Sequence, residues 1–109
     1  MTHRVQRHVE VERDILDLAA WIARDSYQVA YRFFEAAEDS ITSLRSMPGR
    51  GSPKHLRGSK LAGVKSLAVV GFPNHLILYE LRGAEVFVLA VVHGARRYSQ
   101  LLRDRTMLD

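Results

Sequence analysis

Residues 72–97 read FPNHLILYELRGAEVFVLAVVHGARR, and this stretch decides the fold. It contains two runs rich in branched and aromatic residues, His75–Leu81 and Glu85–Val92, which are joined by Arg82-Gly83-Ala84. Such runs are typical of β-strands, and a short connection that contains glycine is typical of a hairpin. A third run, Val64–Val70, precedes them across a turn with proline and asparagine, so we predict three sequential antiparallel strands.

The strands of this hairpin are apolar at both of their alternating positions. Val86 and Val88 fall on one side of the second strand, whereas Phe87 and Leu89 fall on the other. Both faces of the middle of the sheet must therefore be covered. In one interpretation a short terminal helix and a long loop of this chain complete the cover. In the other a partner protein does so, because uncovered apolar patches often mark interfaces.

Upstream of the strands the apolar residues follow a helical period. The pattern i, i+4, i+7, i+8, i+11 predicts a helix over residues 10–24. A second apolar stripe, Ala30–Leu44, predicts another helix that ends at about Ser46 and has Asp25 or Ser26 as its N-cap. Since the connection between the two helices is very short, they form an antiparallel helical hairpin.

These elements predict an α+β fold in which residues 1–109 form a single domain. The antiparallel β-sheet is small, with about four strands, since residues 3–9 add a half-apolar edge strand. The N-terminal helical hairpin packs on one face of the sheet, and residues 95–104 form a short C-terminal helix. The chain has no cysteine, no apolar run near the ~20 residues that span a membrane, and polar residues directly after Met1. We therefore expect a cytoplasmic protein without a membrane partner.

Charge is distributed unevenly along the 109 residues. Residues 1–44 contain five basic and eight acidic residues, whereas residues 45–79 contain six basic residues and no Asp or Glu. A solvated loop is one explanation. The other is a contact surface for phosphate or carboxylate, on which binding would depend on salt.

The most specific local motif, His93-Gly94-Ala95-Arg96-Arg97-Tyr98, directly follows the last predicted strand. Gly94 suits a tight turn, and a helix that opens at Ala95 would present its N–H groups to an anion beside two arginines. If paired positions of the hairpin sum to about 166, His75 lies near Val91 and His93 near Pro73. Asn74, His75 and the motif then gather at one end of the sheet, and Lys65 could approach them. The alternative is a simple turn with solvated arginines.

Other chemistry is not indicated. The five histidines have no metal-ligand spacing, and the chain has neither a phosphate-binding loop nor a nucleophile elbow. We therefore predict no metal and no cofactor. Trp21 and Tyr31 lie at helical spacing, which favours core or groove residues over platforms for stacking bases.

Taken together, the chain resembles toxins of the RelE/ParE superfamily of bacterial type II toxin–antitoxin systems. The most specific segments are Gly71–Tyr79 (GFPNHLILY) and Val91–Arg97 (VVHGARR), in that order and spacing. The resemblance implies a small antiparallel sheet with a helical hairpin packed against it. It also implies a cognate antitoxin whose disordered tail folds over the toxin, so that operator DNA is bound only indirectly through the antitoxin.

The long helical hairpin and the His-Gly-Ala-Arg ending look more like the ParE branch, whose members inhibit DNA gyrase and block replication. RelE-like members instead cleave mRNA on the ribosome. By that resemblance the catalytic residues would be Lys65, His93, Arg96 and Tyr98. The region of His75 and Leu76 departs from the RelE pattern, which has an arginine there.

Three hypotheses therefore stay open: a gyrase-inhibiting toxin, a ribosome-dependent endoribonuclease, and an inactive member that only binds its partner. The candidate target-binding residues are Asn74, His75, His93, Arg96 and Arg97. The candidate antitoxin-binding residues are Trp21, Tyr31, Phe34, Arg57 and Lys65.

Overall fold

A computed structural model describes residues 2–107 of the chain, with the side chain of Met107 left aside. Two helices follow a short first strand, and the remaining strands and a last helix come after a loop. The elements, in chain order, are β1 (Arg4–Arg7), α1 (Val11–Ala23), α2 (Tyr27–Ser43), β2 (Ser52–Pro53), a 3₁₀ turn (Ser59–Leu61), β3 (Lys65–Val69), β4 (Phe72–Arg82), β5 (Glu85–His93) and α3 (Ser99–Met107).

The α+β class, the helical hairpin and the short C-terminal helix are confirmed, and the sheet differs from the prediction in two details. It has five strands in the order β1-β5-β4-β3-β2, because the two-residue β2 lies within the predicted loop. It is also mixed, since β1 runs parallel to β5 while the other neighbours are antiparallel. The apolar pattern of a strand shows which positions are buried but not which strand lies beside it, so the parallel pair was not predictable.

The β4–β5 hairpin brings two histidines opposite each other. Its turn contains only Gly83 and Ala84, and Gly83 has a φ of 60°, a left-handed conformation that favours glycine. The register shifts between Leu78 and Tyr79, where β5 contributes one extra residue as a bulge. His75 therefore pairs with His93, two positions away from the predicted partner, Val91.

The two helices form the predicted hairpin with boundaries within a few residues of those expected. Ser26 is the N-cap of α2, and its hydroxyl oxygen accepts a hydrogen bond of 3.2 Å from the amide of Val29. This bond satisfies one of the free N–H groups at the start of the helix. The second helix ends at Ser43, earlier than predicted.

The sheet has a hydrophobic core on each face. On the hairpin face, which α1 and α2 cover, Phe33 and Ile41 pack on Ile77 and Val88. On the α3 face the cover comes from the 3₁₀ turn and α3, and the core residues are Leu61, Val64, Leu78, Leu89, Ala90, Val92 and Leu102. This arrangement confirms that both faces are buried, and elements of the chain itself provide the cover.

A buried ion pair joins the elements of the two faces. The carboxylate of Asp14 in α1 accepts hydrogen bonds of 2.6 and 2.8 Å from the guanidinium of Arg105 in α3. The same two side chains satisfy the bulged part of β5: Arg105 donates to the Leu89 carbonyl, and Asp14 accepts from the Val91 amide. β1 pairs only with residues 85–88, so the edge of β5 after residue 88 has no neighbouring strand. Asp14 and Arg105 there provide hydrogen-bond partners for backbone groups that would otherwise be unsatisfied.

Among residues 2–107, no helix combines the length and the apolar character needed to cross a membrane.

Candidate functional site

The predicted convergence at one end of the sheet is present in the structure. We call Asn74, His75, His93, Arg96 and Arg97 the sheet-end cluster. His75 and His93 are direct cross-strand partners, and their ring centroids lie 5.1 Å apart in an edge-to-face arrangement. The two arginines follow within four residues and are exposed. The structure thus brings all five candidate target-binding residues together.

Backbone hydrogen bonds fix the loop that carries the arginines. The Gly94 amide donates to the Asn74 carbonyl at 2.7 Å, and a Cβ at Gly94 would lie only 3.3 Å from that oxygen. The ring of His93 accepts a bond of 3.1 Å from the Ala95 amide through Nδ1. The Arg96 amide donates to the His93 carbonyl at 3.0 Å. These bonds form a tight turn and hold the loop in one conformation.

The prediction of a helix that begins at Ala95 is wrong, because residues 94–98 form a turn and a loop. The last helix begins at Ser99, so Arg96 and Arg97 lie in an exposed loop rather than in a first helical turn. The expected anion site at a helix N-terminus beside these arginines is therefore absent. None of the residues from Gly94 to Tyr98 has a side chain typical of an N-cap. The sequence therefore did not show that the helix begins only at Ser99.

His75 connects the cluster to the core on the hairpin face. Its ring lies 4.8 Å from the ring of Phe33 in α2, measured between centroids, and it also contacts Phe72. Within residues 2–107, its Nδ1 atom is buried and has no hydrogen-bond partner. Burial, and next the neighbouring His93, lower the pKa of His75, because both disfavour the protonated ring. The lowered pKa favours the neutral form of His75, whose ring packs between His93 and Phe33.

The set expected for a ribonuclease is not gathered in one place. Lys65 pairs with Tyr79, four positions along β4 from His75, which corresponds to about 13 Å along the strand. The ring of Tyr98 packs against the core of the α3 face, with the ammonium of Lys54 5.5 Å from its centre. Only His93 and Arg96 of that set belong to the sheet-end cluster.

The candidate antitoxin-binding residues lie in several places. Trp21 and Tyr31 are 67% and 66% exposed on the hairpin, so neither is a core residue. Tyr31 does line a groove on α2, together with Tyr27 and Arg32. The helical spacing of Trp21 and Tyr31 coincides with the outer surface, and the guanidinium of Arg24 stacks over the Trp21 ring at 4.5 Å. Phe34 is partly buried against the core of the hairpin face, whereas Arg57 is exposed in the loop that covers the other face.

Two features that position these elements were not found from the sequence. The hydroxyl of Tyr79 donates to the Pro48 carbonyl and accepts from the Gly51 amide, both at 2.8 Å, and so fixes the turn after α2. The second feature is the pair of Asp14 and Arg105, which are 91 residues apart. Neither residue has a spacing or motif that indicates its partner.

Among the described residues, no group of three or more His, Asp or Glu side chains could hold a metal ion. The sheet-end cluster instead contains two exposed guanidinium groups beside two imidazole rings, without a carboxylate of its own. Guanidinium groups bind carboxylates and phosphates through paired hydrogen bonds. The sheet-end cluster is therefore a cationic surface that can accept an anionic group.

Comparison with known proteins gives the class to which this fold and surface belong. A family model described as the ParE toxin of type II toxin–antitoxin systems, parDE, matches residues 5–98. The chain therefore belongs to the family of ParE toxins of type II toxin–antitoxin systems.

A solved structure described as the chromosomal ParDE toxin–antitoxin system from P. aeruginosa has the same fold. It superposes with a TM-score of 0.66 at 11% sequence identity, and the match covers 84% of this chain and 96% of that chain. A search of curated proteins finds no match.

Proposed function

We propose that this chain inhibits DNA gyrase and blocks replication until its antitoxin neutralises it. Membership of the ParE family carries this proposal, because the family match spans residues 5–98 and includes every residue of the sheet-end cluster. The sheet-end cluster is the surface that we assign to the gyrase contact. Its arginines are exposed on a loop that backbone hydrogen bonds hold in place, so little ordering is required on binding.

An antitoxin is the partner that membership of this family implies. We propose that a segment of the antitoxin folds on this chain and that the exposed aromatic residues of the hairpin receive part of it. Trp21 and Tyr31 support this assignment, since large exposed aromatic side chains are frequent anchors of protein interfaces. Operator DNA is then contacted only through the antitoxin.

Pulse labelling during expression of the chain without its antitoxin tests the proposal first. We expect thymidine incorporation to fall within minutes, before methionine incorporation falls. A supercoiling assay with purified gyrase should then show inhibition, and Arg96→Ala with Arg97→Ala should weaken it roughly tenfold or more, because two charged contacts are removed.

Arg13→Ala with Arg45→Ala is the matched control, since it also removes two exposed arginines and neither belongs to the sheet-end cluster. It should leave inhibition unchanged. If methionine incorporation falls first and mRNA is cleaved, the chain is a RelE-like endoribonuclease and the gyrase proposal is wrong. If neither label falls, the chain is an inactive member that only binds its partner.

A further inference from the structure

The α3 face has a second charged surface, and none of its residues belongs to the sheet-end cluster. A cavity of about 330 Å³ opens between the 3₁₀ turn and α3. We call it the α3 pocket. The residues that line it are Arg57, Gly58, Ser59, Lys60, Leu61, Arg103 and Thr106. Its size is at the lower end of the ~300–1,000 Å³ usual for ligand pockets, which suits one large side chain better than a cofactor.

The inside of the α3 pocket is mostly apolar although three of its residues are cations. Leu61 and Thr106 are 1% and 6% exposed and form its floor. Arg57, Lys60 and Arg103 are exposed and form its rim. Long basic side chains line apolar surfaces with their aliphatic stems and keep their charges in water, so the pocket has an apolar interior and a cationic border.

These three cations have no acidic partner within residues 2–107, where the described ion pairs involve other arginines. The chain segment that supplies Arg57 and Lys60 has no acidic residue from residue 45 to residue 79. By contrast, Arg7 on the other face of the sheet is held in a two-point ion pair with Glu38. The positive potential around the pocket is therefore open to a partner.

We infer that the α3 pocket docks an acidic segment of the antitoxin, with one large apolar side chain in the cavity and flanking carboxylates on the cationic border. This inference rests on the proposed function only in that it takes the antitoxin as the partner. Charge complementarity with an apolar anchor favours a polypeptide over a nucleic acid, because phosphates would pair with the rim but leave the apolar interior empty.

The location has a consequence for regulation. The residues that line the α3 pocket include none of the sheet-end cluster, although the loop with Arg96 and Arg97 leads directly into α3. Substitutions at the rim of the pocket therefore leave the target-binding side chains in place. Binding of the antitoxin and inhibition of gyrase should be separable by mutation.

Fluorescence anisotropy with the full chain tests the inference. The probe is a labelled peptide, EDELLEDE, and its comparison peptide, EDEAAEDE, has the same charge without the apolar anchors. We expect the first peptide to bind more tightly. The double variant Lys60→Glu with Arg103→Glu should bind it roughly tenfold or more weakly, because two pairing charges become repulsive. Unlabelled antitoxin should displace the probe.

Arg13→Glu with Arg45→Glu is the control for net charge, because it changes the charge as much as the double variant does at exposed residues outside the pocket. Arg57→Glu, in a loop, is a second variant in case the changes in α3 unfold the chain, and Arg13→Glu alone is its control. The variants of the pocket should still inhibit gyrase. Equal binding of the two peptides, an unchanged dissociation constant in the variants, or failure of the antitoxin to compete would each overturn the inference. So would a duplex DNA oligonucleotide that competes better than the antitoxin. A chain that binds the probe as expected but does not inhibit gyrase contradicts the proposed function alone.

Discussion

The two faces of the sheet are covered by different kinds of structure. On the hairpin face, two helices of 13 and 17 residues pack on a core that includes Phe33, Ile41 and Tyr79. On the α3 face, a three-residue 3₁₀ turn and a nine-residue helix cover a smaller core around Leu61 and Leu102. The same strands thus have a thick cover on one side and a thin cover on the other.

The two covers therefore differ in how much they stabilise the fold and in the surface that they expose. The thick cover buries large side chains and supplies most of the hydrophobic stabilisation, which scales with apolar area removed from water. The thin cover is made of chain that is rich in basic residues, and it leaves the α3 pocket open between its two parts. A partner that binds the α3 pocket, as we infer, would contact the thin cover and leave the main core intact.

The largest expected effect is a core truncation on the hairpin face. Phe33 is fully buried and packs edge-on against Phe72, with ring centroids 5.2 Å apart. Phe33→Ala should lower the free energy of unfolding by about 4 kcal/mol, from lost burial and the cavity left behind. Leu102→Ala on the α3 face should cost about 2–3 kcal/mol, because the thin cover can relax into the space. Urea unfolding curves of both variants give the two values.

Equal losses in the two variants would show that the thin cover packs as rigidly as the thick one. Leu16→Ala on α1 is the control, because Leu16 is 50% exposed and its truncation removes an apolar side chain without leaving a cavity. It should change stability by less than about 1 kcal/mol.

A second prediction concerns the connection between the faces. Arg105→Met leaves the buried Asp14 carboxylate with only the Val91 amide, and it also removes the donor to the Leu89 carbonyl. We expect a loss of about 3 kcal/mol, since an unpaired buried charge is costly. The double variant Asp14→Leu with Arg105→Met should recover part of that loss, because it removes the isolated charge. Thermal unfolding of the single and double variants measures the difference.

A double variant that is no more stable than Arg105→Met alone would contradict this account. It would mean that the hydrogen bonds to the bulge of β5 account for the loss instead of the isolated carboxylate. Arg105→Met lacks one of these two bonds, and the double variant lacks both. Hydrogen exchange at the Val91 amide distinguishes the two explanations, because this amide loses its partner only when Asp14 is replaced.

The sequence predicted the parts of this comparison that depend on local pattern. Helical periodicity and the doubly apolar strands determined the hairpin, the three central strands and the burial of both faces. The end-of-sheet convergence followed from the short β4–β5 turn, although the partner of His75 is His93 rather than Val91. One of these two positions comes from the turn, where Arg82 instead of Leu81 pairs with Glu85, and the other from the bulge at Leu78 and Tyr79. A bulge depends on packing from both sides, so apolar alternation does not reveal it.

What the sequence did not predict are contacts between distant segments. The parallel pairing of β1 with β5 and the ion pair of Asp14 with Arg105 join residues from opposite ends of the chain. The α3 pocket likewise combines Arg57 and Lys60 with Arg103, and only the acid-free segment containing the first two was visible as a charge pattern. Trp21 shows that helical spacing does not distinguish a core position from a surface one, since this aromatic residue is 67% exposed.

The smallest expected effect is a pH dependence that arises on the hairpin face. Burial lowers the pKa of His75 in the folded chain, and the nearby His93 lowers it further, whereas the unfolded chain titrates at about 6.5. Because the unfolded state binds the proton more readily, this stabilisation is complete above about pH 6.5 and is lost as the pH falls through the folded-state pKa. His75→Phe keeps a ring against Phe33 and should reduce the loss of stability between about pH 7.5 and about pH 5.

The control is His55→Asn, at an exposed position with a φ of 54° that asparagine tolerates, and it should retain the wild-type pH dependence. Urea midpoints at constant ionic strength measure these slopes, and equal slopes in wild type and His75→Phe would show that His75 is not the source of the pH dependence.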